Sequence, residues 1–175
     1  VNRRNTAMQR VLTLIALLVL ALSSAVPLSA DPSATSVGLG FSFGAAFPQG
    51  STANIPSGAG PSFNWGFYVN IPLISTFHIT PSSELYKFGS QNATDVDLAF
   101  KFIVPLEGFD IYAGLSPGLT TEADVLAPHV GLLGGAAFRL VSNLDAFVQA
   151  KYNVLFEGSR NMGIFHLNAG IIFAF

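Results

Sequence analysis

Apolar side chains recur at every second position in eight separate runs, the period at which successive residues of an extended chain point to opposite faces. The first run covers Thr35 to Phe47, with Val37, Leu39, Phe41, Phe43 and Ala45 on one face and Gly38, Gly40, Ser42, Gly44 and Ala46 on the other. In the second, Phe63 to Ile71, Phe63, Trp65, Phe67 and Val69 alternate with Asn64, Gly66, Tyr68 and Asn70. The third, Ile74 to Tyr86, sets Phe77, Ile79 and Leu85 against His78, Thr80, Glu84 and Tyr86; Pro81 inside it suggests a bulge. Thr94 to Val104 is the cleanest, with Val96, Leu98, Phe100 and Phe102 opposite Asp95, Asp97, Ala99 and Lys101. Phe109 to Leu119, Pro128 to Leu140, Leu144 to Leu155 and Gly163 to Phe175 complete the eight strands, and Phe147 is an apolar exception on a polar face.

The joins alternate in length. Those after the second, fourth and sixth runs, at Pro72-Leu73, Pro105 to Gly108 and Val141 to Asn143, are tight. Those after the first, third, fifth and seventh are longer: Pro48 to Ser62, Lys87 to Ala93, Thr120 to Ala127 and Phe156 to Met162. Short turns at one end and longer loops at the other fit an up-and-down antiparallel barrel that crosses a membrane.

Composition narrows the choice. Charged residues make up 10% of the chain, well below the roughly one quarter usual in soluble domains. No run after the first thirty residues is long enough for a membrane-spanning helix. A closed sheet is the other way to satisfy every backbone polar group in hydrocarbon. Cysteine is absent, which removes disulfides, thiolate metal sites, cysteine catalysis and lipoprotein acylation.

The head of the chain reads as an export signal over residues 1–30, leaving a barrel domain over 31–175. Arg3, Arg4 and Arg10 precede an apolar run from Val11 to Leu22, and Leu28-Ser29-Ala30 offers a cleavage site. Ser23, Ser24 and Pro27 stop the run too early for an anchor; Met8 is an alternative start to Val1. Removal of residues 1–30 takes three of the 8 basic residues and none of the 10 acids, leaving a net charge of −5. A basic footprint for nucleic acid is therefore missing.

The last strand ends on an aromatic, with Phe165, Leu167, Ala169, Ile171, Phe173 and Phe175 on one side and His166, Asn168 and Gly170 on the other. With the glycine-rich inward faces and the Val148 to Asn153 seventh strand, this pattern resembles the small eight-stranded bacterial outer-membrane β-barrels of the OmpA/OmpX type. The resemblance implies an all-β, eight-stranded antiparallel transmembrane barrel in the outer membrane of a Gram-negative cell. It implies contact with outer-membrane lipid and lipopolysaccharide, and delivery to the barrel assembly machinery through Leu167, Ile171, Phe173 and Phe175. A soluble lipocalin-type barrel would carry the opposite pattern, apolar inside and charged outside.

An eight-stranded barrel has an interior just wide enough for side chains to fill. The inward set supplies a polar network of Glu84, Asp95, Asp97, Lys101, Asp110, His129, Arg139, Asp145, Gln149, Lys151 and His166, in which charges are tolerated because they are paired. The resulting expectation is a structural or adhesin-like surface protein with a filled lumen, without cofactor, metal or catalytic site. A small-solute or ion pore and a lipid-modifying enzyme are the alternatives. Eight-stranded lipid A deacylases use a His-x-Ser pair, and the nearest match, His78-Ile79-Thr80, substitutes threonine and faces inward. The loops, including Thr120 to Asp124 and Glu157 to Arg160, are expected to form a solvated rim or a contact surface for a host or matrix protein.

Overall fold

The computed structural model describes residues 36–50, 59–88, 91–122, 125–157 and 160–175. The expected export segment, the glycine- and serine-rich stretch 51–58, and the tips Ala123-Asp124 and Gly158-Ser159 lie outside the described residues. Eight strands follow one another: β1 (Gly38–Gln49), β2 (Ser62–Ile74), β3 (Phe77–Phe88), β4 (Gln91–Leu106), β5 (Phe109–Glu122), β6 (Val125–Val141), β7 (Leu144–Glu157) and β8 (Arg160–Ala174). Each pairs antiparallel with the next, and β1 closes on β8 from Gly38↔Ala174 to Gln49↔Gly163, making a closed barrel. Strands of 12 to 17 residues are longer than the roughly 9–11 that a tilted strand needs to cross hydrocarbon.

At one end the turns are two residues each: Ser75-Thr76, Glu107-Gly108 and Ser142-Asn143. Gly108 takes a φ of 86°, which a residue with a Cβ rarely adopts. The first turn lies beyond the expected Pro72-Leu73, because β2 continues to Ile74 through a register shift between Pro72 and Ile74. Pro72 has no N–H to give the ladder, and the irregularity falls there. Pro81, by contrast, produces no bulge. The β3–β4 register runs unbroken from Phe77↔Phe102 to Phe88↔Gln91, and the β2–β3 ladder passes over Val69 and Asn70 at the level of Pro81.

The other end departs further from expectation. The joins after β3, β5 and β7 shrink to residues 89–90, 123–124 and 158–159, because the strands run past the expected loop boundaries. Thr121 pairs with Leu126 and Glu122 with Val125, so residues taken as loop chemistry extend the ladder. Glu122 is buried, not part of a solvated rim. The join between Gln49 and Ser62 remains long.

The two faces separate by polarity as the alternation requires. Leu132 is 64% exposed on the outside, in company with Phe67, Phe102, Leu115, Val148 and Leu167, whereas Lys151 is 2% exposed inside. Such a continuous apolar exterior has its natural solvent in lipid hydrocarbon. Phe147 is explained by Gly170: a Cβ there would lie 2.7 Å from the Phe147 ring, so the glycine vacates the space that the aromatic fills.

The bore is layered along its length. Toward the long-join end Phe88, Ala93, Leu155, Met162 and Ile164 form a buried apolar cluster. Toward the short-turn end Ala99, Ile103, Tyr112 and Leu133 form a second. The polar network lies between them.

Candidate functional site

Three carboxylates organise the middle of the bore, Glu84 on β3 and Asp95 and Asp97 on β4, all with the same inward parity and all buried. Lys151 on β7 reaches across to two of them, placing Nζ 2.9 Å from Asp97 Oδ2 and 3.0 Å from Glu84 Oε2. In the low dielectric of a packed interior such contacts are strong, and the cost of desolvating each ion is correspondingly high. Every carboxylate is therefore given further donors. Asp97 Oδ1 accepts from Ser116 Oγ and from His129 Nε2, both at 2.8 Å. Asp95 accepts from Tyr86 OH at 2.8 Å, Thr120 Oγ1 at 2.7 Å and Asn153 Nδ2 at 2.8 Å. Glu84 Oε1 accepts from Tyr68 OH and from Asn168 Nδ2.

Local sequence makes this crowding feasible. Gly118 and Gly131 sit where larger residues would collide: a Cβ on Gly118 would lie 2.5 Å from His129 Nε2, and one on Gly131 2.2 Å from Asn153 Oδ1. The glycine-rich inward faces are thus the space into which the long polar side chains fold.

The two histidines differ. His166 Nδ1 lies 3.2 Å from Asn64 Nδ2 and 3.3 Å from Glu84 Oε2, and its Nε2 stands 3.5 Å from Asp95 Oδ2. His129 is held more tightly, with Nδ1 2.8 Å from Thr120 Oγ1 and Nε2 2.8 Å from Asp97 Oδ1. Thr120 has one hydroxyl proton and faces two groups. Thr120 Oγ1 donates to Asp95 Oδ1 at 2.7 Å, so its one proton is directed at that carboxylate. Thr120, His129 and Asp97 thereby reproduce the connectivity of a hydroxyl, imidazole and carboxylate triad, with the hydroxyl proton committed to Asp95 instead of the ring. Thr120 is 1% exposed, so a substrate carbonyl has no route to it in this conformation.

Lys101 stands apart from the ion pairs. Its Nζ lies over the Tyr112 ring at 4.8 Å and the Tyr68 ring at 5.8 Å, a cation held on aromatic faces. Gln149 meets Tyr112 OH through Oε1 at 3.4 Å. His78, half-buried, contacts Asn70 Oδ1 through Nδ1 at 3.2 Å, and Thr80 donates to the same oxygen, so this pair is engaged in side-chain bonding within the barrel.

The structure thus brings Glu84, Asp95, Asp97, His129, Lys151 and His166 together, with Lys101 and Gln149 one layer nearer the short-turn end. Asp110, Arg139 and Asp145 share the inward parity but lie at the short-turn mouth, separated from the network by the second apolar layer. There Arg139 Nε pairs with Asp145 Oδ1, and the Arg139 side chain is 61% exposed, so these three belong to a rim and not to a buried lumen. Tyr86, Ser116, Thr120 and Asn153 are partners beyond the expected set. All but Thr120 are polar residues of matching inward parity; Thr120 lies in a segment that reads as a loop. Two groups, Glu84 with Asp95 and His166, and Asp95 with Asp97 and His129, bring metal-ligating atoms within 4.8 Å of one another. Lys151 already supplies the positive charge beside Glu84 and Asp97. Leu167, Ile171 and Phe173 project from the outer face of β8, and Phe175, just past its end, is exposed too.

Compared by sequence, the chain matches no protein-family model and no curated protein. By structure it is similar to several solved barrels. Neisserial surface protein A superposes with a TM-score of 0.67 at 14% identity, over 79% of this chain and 97% of that one. The N-terminal β-barrel domain of Pseudomonas aeruginosa OprF gives 0.55 at 12% identity over 80% and 98%, and P. aeruginosa OprG gives 0.55 at 9% over 81% and 97%. The fold is that of the small eight-stranded outer-membrane β-barrels.

Proposed function

We propose that the chain is an integral protein of the bacterial outer membrane whose filled bore gives it a structural or surface-interaction role in place of conduction or catalysis. The observation that carries this is the Lys151 bridge between Asp97 and Glu84, sealed above by Phe88, Leu155, Met162 and Ile164 and below by Ile103, Tyr112 and Leu133. An ion entering this bore would have to displace both apolar layers and break paired charges. The refolded chain in planar bilayers is expected to give no unitary currents, and reproducible steps from pure protein would replace this function with that of a pore. Recovery of the chain in detergent-extracted outer membranes, and not in the soluble fraction, tests the address.

Recognition of a host or matrix protein falls to the join between Gln49 and Ser62, since the other three joins at that end are two residues each. Deleting residues 51–58 is expected to abolish adhesion to a host cell layer while leaving the barrel folded. The outward Leu167, Ile171, Phe173 and Phe175 are the residues an assembly machine would read, and Phe175→Ala is expected to slow membrane assembly in cells more than folding into liposomes. Lipid A chemistry is disfavoured by the burial of Thr120 and His129; release of fatty acid from lipopolysaccharide by the pure barrel would reverse that.

A further inference from the structure

At the short-turn mouth a cavity of about 190 Å³ straddles the rim of the barrel. One wall is inward-facing and charged, with Asp110 on β5, Arg139 on β6 and Asp145 on β7; the other is made by Leu106 and Phe109, which are exposed on the outer face. Phe109 stacks with Phe138 at 5.8 Å between ring centres, extending that apolar wall along the outside. The register of β6 and β7 shifts between Arg139 and Val141, an irregularity of the kind that re-aims a side chain at a strand end.

The charges here do not balance. Arg139 meets Asp145 through Nε, and among the described residues Asp110 makes no hydrogen bond or close ion pair, although the Arg139 guanidinium attracts it and Asp145 repels it. A simple anion would meet two carboxylates, and a simple cation would meet the guanidinium. A head that carries both a primary ammonium and a phosphodiester satisfies Asp110 and Arg139 together, and acyl chains attached to it lie against the outer row that Leu106, Phe109 and Phe138 make around the rim. We infer that this rim binds a phospholipid of the phosphatidylethanolamine type, with its ammonium on Asp110 and its phosphate on Arg139. The inference rests on the membrane location proposed above.

The test is to insert the full chain into nanodiscs containing equal amounts of phosphatidylethanolamine, phosphatidylglycerol and phosphatidylcholine, and to identify by native mass spectrometry the lipids it keeps. Phosphatidylethanolamine is expected to be retained about tenfold over phosphatidylglycerol, and Asp110→Asn to erase that preference, since one charge-assisted hydrogen bond is lost. Arg139→Gln is expected to lower retention of all three. The heat-dependent gel shift of each variant shows that it is folded. Equal retention by the wild type, or a preference that survives in Asp110→Asn, would overturn the site. Displacement of the lipid by soluble glycerophosphoethanolamine would also overturn it, because the head alone would then suffice. Failure to insert into any bilayer would sink the membrane location itself, whereas insertion with indiscriminate retention removes only this inference.

Discussion

Lys151 and Asp97 face each other across the bore at 2.9 Å with both side chains closed to solvent. Removing one partner of such a pair leaves a buried charge without compensation. Lys151→Met is therefore expected to destabilise the barrel by about 3–5 kcal/mol, read from urea unfolding in lipid vesicles. A change below about 1 kcal/mol would mean that water reaches Asp97 and Glu84.

Lys101 gives the contrasting case. Among the described residues it has two ring faces for partners and no ion pair with a carboxylate, so Lys101→Met removes two cation-aromatic contacts and one desolvated charge at the same time. The two effects oppose, and the net change is expected to stay within about 1 kcal/mol in the same unfolding measurement.

Thr120 stands between Asp95 Oδ1 at 2.7 Å and His129 Nδ1 at 2.8 Å, and Thr120→Val tests that placement. It strands His129 Nδ1 and takes one donor from Asp95, at an expected cost of about 1–3 kcal/mol.

Gly44 lies where β1 meets β8, and a Cβ there would stand 2.0 Å from the carbonyl oxygen of Leu167. Backbone cannot yield as a side-chain tip can. Gly44→Ala is expected to cost about 1–3 kcal/mol by forcing the seam apart, measured against Gly60→Ala, where a Cβ meets nothing within 4 Å.

On the outside, Leu132→Arg is expected to destabilise the inserted barrel by about 2–4 kcal/mol when folded into vesicles. Arginine at Leu126, near the strand end, is expected to cost about 1 kcal/mol or less, because its charge reaches the interface. Equal penalties at the two positions would contradict a transmembrane placement.

Sequence parity made much of this legible, and its failures share a cause. Asp97 and Lys151 were assignable to one interior because each sits amid clean alternation, and parity is all that is needed to choose a face. Parity carries no height, however. Asp110, Arg139 and Asp145 have the same inward phase as Asp97 yet lie at the mouth, where water does not demand that they join the buried network. The far end was misjudged for the converse reason. Phe88, Leu155, Met162 and Ile164 turn inward there, so both faces of the strands become apolar and the period-two signal fades before the strands stop. Thr120 fell within a stretch of Thr, Glu, Ala and Asp that reads as turn chemistry, and its place between Asp95 and His129 depends on a cross-strand pairing that no local window contains.

The seam between β1 and β8 ties the earliest strand of the cylinder to the latest. A sheet left open at this seam would present two rows of unsatisfied amides to hydrocarbon. Closure therefore depends on β8, without which the edges of β1 and β7 keep their ladder groups unpaired.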